Sequence, residues 1–154
     1  NGAFLVQDFS QTRARFYGVE AEATVALIPD VLDLRVFTDI VYANLKNNGN
    51  IPRITPQRFG VDLDYRWNSW LANFNVTRVS RQNRVARLET ETPGHTLMNA
   101  EIAHRFKRGP ALYHTLFLQG RNLLDSDIRV HTSFLKNMAP LPGRAIVVGI
   151  RGEF

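Results

Sequence analysis

Apolar and polar residues alternate along much of this chain, most regularly from Arg58 to Trp67. In that segment every second residue is apolar, and the residues between them are charged or glycine. A period of two places successive side chains on opposite faces of a β-strand. Strands of soluble proteins are usually about five or six residues long. The longer alternation here matches the roughly ten residues of a tilted strand that crosses a bilayer.

The same period recurs in other segments, whereas no segment has helical periodicity. We predict about seven strands, at residues 4–27, 31–46, 57–67, 70–82, 95–106, 112–122 and 144–154. The connections alternate between short turns and long loops rich in Gly, Pro, Asn and Thr. Outer-membrane barrels have short periplasmic turns and long extracellular loops. The pattern therefore predicts an all-β fold, an antiparallel up-and-down transmembrane β-barrel segment.

Aromatic residues gather where the predicted strands meet the short turns. These residues are Trp67, Trp70, Phe106 and Phe154. Amphipathic rings favour the level of the lipid headgroups, so the clustering predicts an aromatic girdle at the membrane interface. The alternative is that the rings cap the core of a soluble barrel.

The faces opposite the apolar ones carry many charges. They hold Glu20, Glu22, Asp33, Arg35, Asp39, Arg58, Asp62, Asp64, Arg66, Glu101, Arg105, Arg151 and Glu153. In the interior of a small, filled barrel each of these charges would need a partner. We therefore expect a wide lumen, either wet or plugged, and a barrel with many more strands than seven.

Composition excludes several classes of protein. The chain has no cysteine, which rules out a disulfide framework and a cysteine metal site. Its formal net charge is +5, but the basic residues are scattered among acids, so we do not expect nucleic-acid binding. Residues 1–7 have no basic start and no cleavage site, so we expect a mature segment or an excised piece.

The C-terminal third carries a family resemblance. Its motifs are Gln119–Asp125, Arg129–Lys136, Ala139–Arg144 and the closing strand to Phe154. Together they resemble the C-terminus of a TonB-dependent outer-membrane receptor. Upstream, Arg13–Glu22 and Thr92–Glu101 are similar to strand motifs that recur in the same family. The resemblance thus extends over nearly the whole chain.

The resemblance implies a barrel of about 22 strands around a plug domain, in the outer membrane of a Gram-negative bacterium. Residues 1–154 would form the C-terminal portion of the barrel, with the plug domain absent. The implied function is TonB-dependent uptake of a scarce substrate, such as a ferric siderophore, haem or cobalamin, or a metal such as zinc. Residues 131–144 are similar to a subgroup associated with zinc uptake, and an iron chelate is about as plausible a substrate. The alternative is a small, independent outer-membrane barrel with a structural or adhesive role.

The implied partners are outer-membrane lipid, the receptor's own plug domain and remaining strands, the TonB complex acting through that plug, and the barrel-assembly machinery. We expect no enzymatic activity and no cofactor. No serine lies in a Gly-x-Ser-x-Gly setting, and no histidine spacing matches a known metal motif.

Three groups of residues are functional candidates. Substrate-loop candidates are His131, Arg129, Lys136 and His95, although His131 is more simply interpreted as a solvated loop residue. Residues predicted to face the lumen or the plug are Arg58, Asp62, Asp64, Arg66, Glu101, Arg105, Arg151 and Glu153. Gly149, Ile150, Gly152 and Phe154 resemble the C-terminal signal that the barrel-assembly machinery recognises by strand pairing.

Overall fold

A computed structural model describes residues 11–46, 49–108 and 112–153. Those residues form one antiparallel sheet. Its strands are β1 (Ala14–Ile28), β2 (Leu32–Leu45), β3 (Gly49–Asn50), β4 (Arg58–Trp67), β5 (Trp70–Val79), β6 (His95–Lys107), β7 (Tyr113–Arg121) and β8 (Ala145–Glu153).

The seven long strands lie side by side in chain order, β1-β2-β4-β5-β6-β7-β8, and β3 pairs with the end of β2. Each long strand pairs antiparallel with the next one along the chain. This arrangement confirms the predicted up-and-down topology. None of the described residues forms a helix long and apolar enough to cross a membrane.

Several predicted strand boundaries are wrong. Residues 11–13 lie outside the sheet and β1 begins at Ala14, while residues 4–10 of the predicted first strand lie outside the described part. The two-residue β3 falls where a loop was predicted. Strand β5 ends at Val79 rather than at residue 82, and Gln82 instead pairs in an isolated bridge with Thr92. Phe154, predicted to end the last strand, also lies outside the described residues.

Register aligns the apolar positions of all seven long strands into rows. One row crosses the whole sheet as Val25, Leu34, Leu63, Phe74, Ala100, Gly120 and Ile146. A parallel row on the other face contains Asp33, Asp64, Asn73, Glu101 and Gln119. The sheet therefore has one apolar face, called the outward face here, and one polar face, called the inner face.

No other described part of the chain covers the outward face. Val19, Ile146 and Val148 are each about two-thirds exposed, and few apolar residues, such as Ala43, Ala103 and Ile128, are buried. The accessible surface is 11520 Å². A compact monomer of 17.5 kDa exposes about 7,900 Å². The excess exposure indicates a sheet whose apolar face contacts something other than this chain.

Neither end of the sheet is closed on itself. Within the described residues, β1 pairs only with β2, and β8 pairs only with β7. Both outer edges therefore present unpaired backbone groups, which need partners when they lie in a bilayer.

Aromatic side chains mark the end of the sheet that carries the short turns. Trp67 faces Trp70 across the β4–β5 turn, and both are about half exposed. Phe106 lies near the same rim, at the end of β6. The described members of the predicted girdle therefore share one level of the sheet.

Gly18 is a position where the sheet accepts no side chain. A Cβ built there would collide with the backbone carbonyl oxygen of Ile40 on β2. We expect Gly18→Ala to destabilise the folded protein by about 1–3 kcal/mol, because a backbone atom cannot move aside as a side chain can. The measurement is the unfolding temperature from heat-modifiable gel mobility. Gly49→Ala is the control, since its nearest contact would be an ordinary 3.4 Å to Leu45; equal unfolding temperatures for the two variants would contradict the argument.

Candidate functional sites on the inner wall and in the long loops

Charged residues on the inner face are paired across neighbouring strands. Arg35 on β2 lies 2.7 Å from Glu22 on β1 and 2.6 Å from Asp62 on β4. The same Asp62 accepts a hydrogen bond from Asn75 on β5. One guanidinium thus joins three strands, and the chain of contacts continues to a fourth.

The other inner charges follow the same arrangement. Ion pairs join Arg58 to Asp39, Arg66 to Asp33 and Arg105 to Glu153, while amides of Asn73 and Gln119 donate to Asp64 and Glu101. Arg151 lies over the ring of Phe117 at 6.0 Å. All eight residues predicted to face the lumen or plug therefore share one face. Contact with a plug stays a prediction.

The three long loops meet at the opposite end of the sheet from the short turns. They are the first long loop (46–57), the second (80–94) and the third (122–144). The side-chain amide of Gln82 in the second loop donates to the Ile54 carbonyl in the first, at 2.9 Å. Thr90 of the second loop hydrogen-bonds with Asn137 of the third. The loops therefore support one another.

A buried polar cluster lies where these loops converge, and it consists of Glu89, Thr92, His131 and Lys136. The side chains of Glu89, His131 and Lys136 are no more than a tenth exposed. The carboxylate of Glu89 accepts hydrogen bonds from the backbone N–H groups of Arg53 and Ala86, at 2.9 and 3.0 Å. The cluster thus joins the second and third long loops, and the Arg53 N–H attaches the first long loop to it.

The contacts of His131 identify its tautomer. Its Nδ1 lies 2.7 Å from the Thr92 hydroxyl and 3.3 Å from Nζ of Lys136. An ammonium group can only donate, so Nδ1 must accept and Nε2 carries the proton of the neutral ring. Nε2 lies 3.1 Å from Glu89 Oε1, but not in line for a hydrogen bond. Protonation of Nδ1 would set two cationic donors against each other.

The pKa directions agree with this geometry. Burial, followed by the Lys136 ammonium, lowers the pKa of His131, and the attraction of Glu89 only partly opposes them. Burial raises the pKa of Glu89, but backbone hydrogen bonds from Ala86 and Arg53, helped by His131 and Lys136, outweigh it and lower that pKa overall. Near neutral pH the two shifts favour a Glu89 carboxylate beside a neutral His131 imidazole.

The interpretation of His131 as a solvated loop residue is wrong, because the folded loops bury it. Lys136 is buried with it and donates to the Thr90 carbonyl at 2.6 Å. Arg129 holds the third loop together through Asp127 and the carbonyls of Lys136 and Asn137. Among the described residues, no hydrogen bond or ion pair joins His95 to the other three substrate-loop candidates.

Sequence reasoning missed Glu89, Thr92, Arg53 and Gln82. Nothing in their spacing marks them, since their roles arise only when separate loops meet. The cluster is a poor metal site, because only His131 and Glu89 could supply ligands and Lys136 already provides a cation. In the part of the chain that the structure describes, no group of three or more His, Cys, Asp or Glu residues could hold a metal ion.

A cleft of about 280 Å³ opens at the cluster, and Glu89, His131 and Lys136 are among its lining residues. Arg53, Arg87, Leu88 and Phe134 contribute to its lining. Leu88 is 93% exposed and Phe134 is 80% exposed. Leu88 and Phe134 are therefore the lining side chains most accessible to an external molecule.

An up-and-down sheet with an apolar outward face, an ion-paired inner face and long loops at one end defines a wall of an outer-membrane barrel. The model of the family described as TonB dependent receptor-like, beta-barrel matches residues 2–123. The chain therefore belongs to the TonB-dependent receptor family. Its location is the Gram-negative outer membrane. Members of this family are receptors and transporters, not enzymes.

A solved structure supports the same fold. The chain is similar to a protein named Copper transporter OprC, with a TM-score of 0.78 and 21% sequence identity. The match covers 90% of this chain and 24% of the other. This chain thus spans about a quarter of the length of that transporter.

Glu89 is the residue whose loss should loosen the loops most. Glu89→Gln keeps the shape but leaves the Lys136 ammonium buried without an anion, which costs about 3 kcal/mol. Loop opening, followed by trypsin cleavage at the loop arginines, should become roughly a hundredfold more frequent. Glu91→Gln is the control, because the Glu91–Arg81 pair is largely exposed and contributes little. Equal cleavage of both variants would count against a role for the cluster.

Acid should also loosen the loops. Because the folded state lowers the His131 pKa, the open loop binds a proton more readily, and stability falls as the pH drops below the ordinary histidine pKa of about 6.5. The lowered Glu89 pKa causes a further loss as the pH falls through the ordinary glutamate range. Hydrogen exchange of the loop peptides, corrected for intrinsic rates, would measure both losses of loop stability. In His131→Asn the loss of loop stability near the histidine pKa should vanish. An unchanged loss of stability in that pH range would refute its assignment to His131.

Proposed function

We propose that this chain is the C-terminal portion of the barrel of a TonB-dependent receptor that takes up a scarce substrate across the outer membrane. The observation that carries the proposal is the two-faced sheet with unpaired outer strands. Such a sheet would form part of the wall of a larger barrel, because β1 and β8 do not pair with each other. An independent barrel of eight strands would need that pairing.

The inner face suits a plugged lumen. Its charges are paired along the wall, yet many of their side chains are still about half exposed, including Arg35, Arg58 and Arg105. Exposed pairs contribute little to stability, so their value lies in presenting polar groups to water or to a second surface. We infer that this second surface is the receptor's own plug domain, through which the TonB complex would act.

The last strand has a proposed role in assembly. Ile150 points outward and is 64% exposed, whereas Gly149 leaves room for the ring of Phe117 on β7. The outer edge of β8 is free within the described residues. We infer that this edge pairs first with the barrel-assembly machinery and later with another strand of the barrel.

The substrate is proposed to be a metal ion or a metal chelate. The name of the similar copper transporter and the resemblance of residues 131–144 to a zinc-uptake subgroup both support a metal-containing cargo. Ferric siderophores and haem belong to the same proposal. The buried cluster would shape the loops rather than hold the cargo, because its groups already bond to one another.

Uptake measurements on bacteria test the proposal directly. Cells with and without the receptor gene would be given labelled zinc, copper, a ferric siderophore or haem, in parental and TonB-deficient strains. We expect loss of the receptor to abolish accumulation of one of these substrates, and only where TonB is present. Unchanged accumulation of all four, or uptake that does not need TonB, would refute the proposal.

A loop variant serves as the matched control for barrel assembly. Replacing residues 127–139 of the third long loop by a Gly-Ser linker should abolish uptake while the barrel still assembles, as shown by heat-modifiable gel mobility. A variant that assembles and still takes up substrate normally would show that this loop has no part in transport.

A further inference from the structure

The outward face carries a row of rings at the short-turn rim, here called the rim strip. It consists of Trp70, His104, Phe106 and His114. Ring centroids are 4.5 Å apart for Trp70 and His104, 6.1 Å for His104 and Phe106, and 5.6 Å for Phe106 and His114. Two imidazoles thus alternate with two hydrophobic aromatic rings along one level of the sheet.

Register places the rim strip on the lipid-facing side. His104 lies opposite Trp70 on β5 and Leu116 on β7, and His114 lies opposite Phe106 on β6 and Gly152 on β8. These positions have the parity of the exposed apolar residues rather than that of the ion-paired inner residues. Short turns mark the periplasmic rim of a barrel, so the rim strip lies at the periplasmic leaflet.

The two imidazoles make no hydrogen bond with any residue that the structure describes. The His114 ring also has free space beside it, since a Cβ built at Gly152 would contact only that ring, at 3.5 Å from Nδ1. A polar N–H facing lipid is costly unless it finds a partner. At the level of an aromatic girdle, the partners available are headgroups and water.

The charge beside the rim strip favours an anion. Arg108 directly follows β6 and is exposed, whereas Lys107 has the parity of the inner face and lies 5.8 Å over the Tyr113 ring. Basic residues at a membrane surface attract anionic lipid. We propose that the rim strip binds the phosphate group of an anionic phospholipid, with imidazole N–H groups of His104 and His114 donating to phosphate oxygens and Trp70 and Phe106 contacting the upper acyl chain.

Native mass spectrometry of the intact receptor in mild detergent tests this proposal. Phosphatidylglycerol would be added, and its retention compared among wild type, His104→Phe/His114→Phe and His104→Gln/His114→Gln. The Phe pair keeps the rings but removes the N–H groups, whereas the Gln pair restores donors. We expect affinity to fall roughly tenfold for each hydrogen bond to phosphate that is lost, and the Gln pair to recover part of it.

Three comparisons complete the test, with heat-modifiable mobility showing that each variant is folded. Val148→Phe, on the outward face but away from the rim strip, should retain lipid as wild type does. Phosphatidylethanolamine should bind more weakly than phosphatidylglycerol. The proposal is overturned if the Phe pair retains lipid normally, if the Gln pair recovers nothing, or if the two lipids bind equally.

Discussion

Register between neighbouring strands is the constraint on which the rest of this structure depends. Side chains alternate between faces, so a slip of one residue in any pairing would turn an entire strand inside out. Such a slip between β2 and β4 would place Asp62 and Asp64 against lipid and Leu63 against the lumen. The cost of a carboxylate in the bilayer far exceeds what an exposed ion pair contributes on the inner face. Lipid therefore enforces the register, and the inner ion pairs follow from it.

This register places two like charges opposite each other on the inner face. Asp33 and Asp64 lie directly opposite each other, and like charges in that position repel. The structure relieves the repulsion by pairing Asp33 with Arg66 and giving Asp64 the amide of Asn73. The polar residues are thus paired with residues on neighbouring strands. These pairs hold the wall together without any contribution from the contents of the lumen.

Sequence reasoning predicted the sheet well because alternation is a local property. The faces of β4 can be read from ten consecutive residues, and the structure aligns them as expected. Burial of His131 could not be predicted, since it depends on Glu89 and Thr92, which lie some forty residues earlier in the chain. No local pattern records which loops will meet. The same limit explains why β3 and the departure of Gln82 from the sheet were missed.

The two ends of the sheet provide partners for their polar side chains in different ways. At the short-turn end, imidazole and indole groups lie at the outer surface, where headgroups and water can satisfy them. At the long-loop end, Glu89, His131 and Lys136 are buried against one another, although Nε2 of His131 has no hydrogen-bond partner among the described residues. Groups that are already paired in a low-dielectric interior lose stability when they are drawn to an outside ligand. For the proposed uptake function, we therefore expect discrimination among substrates to depend on the exposed residues of the cleft, Arg87, Leu88 and Phe134, while the buried cluster fixes the position of the loops that carry them.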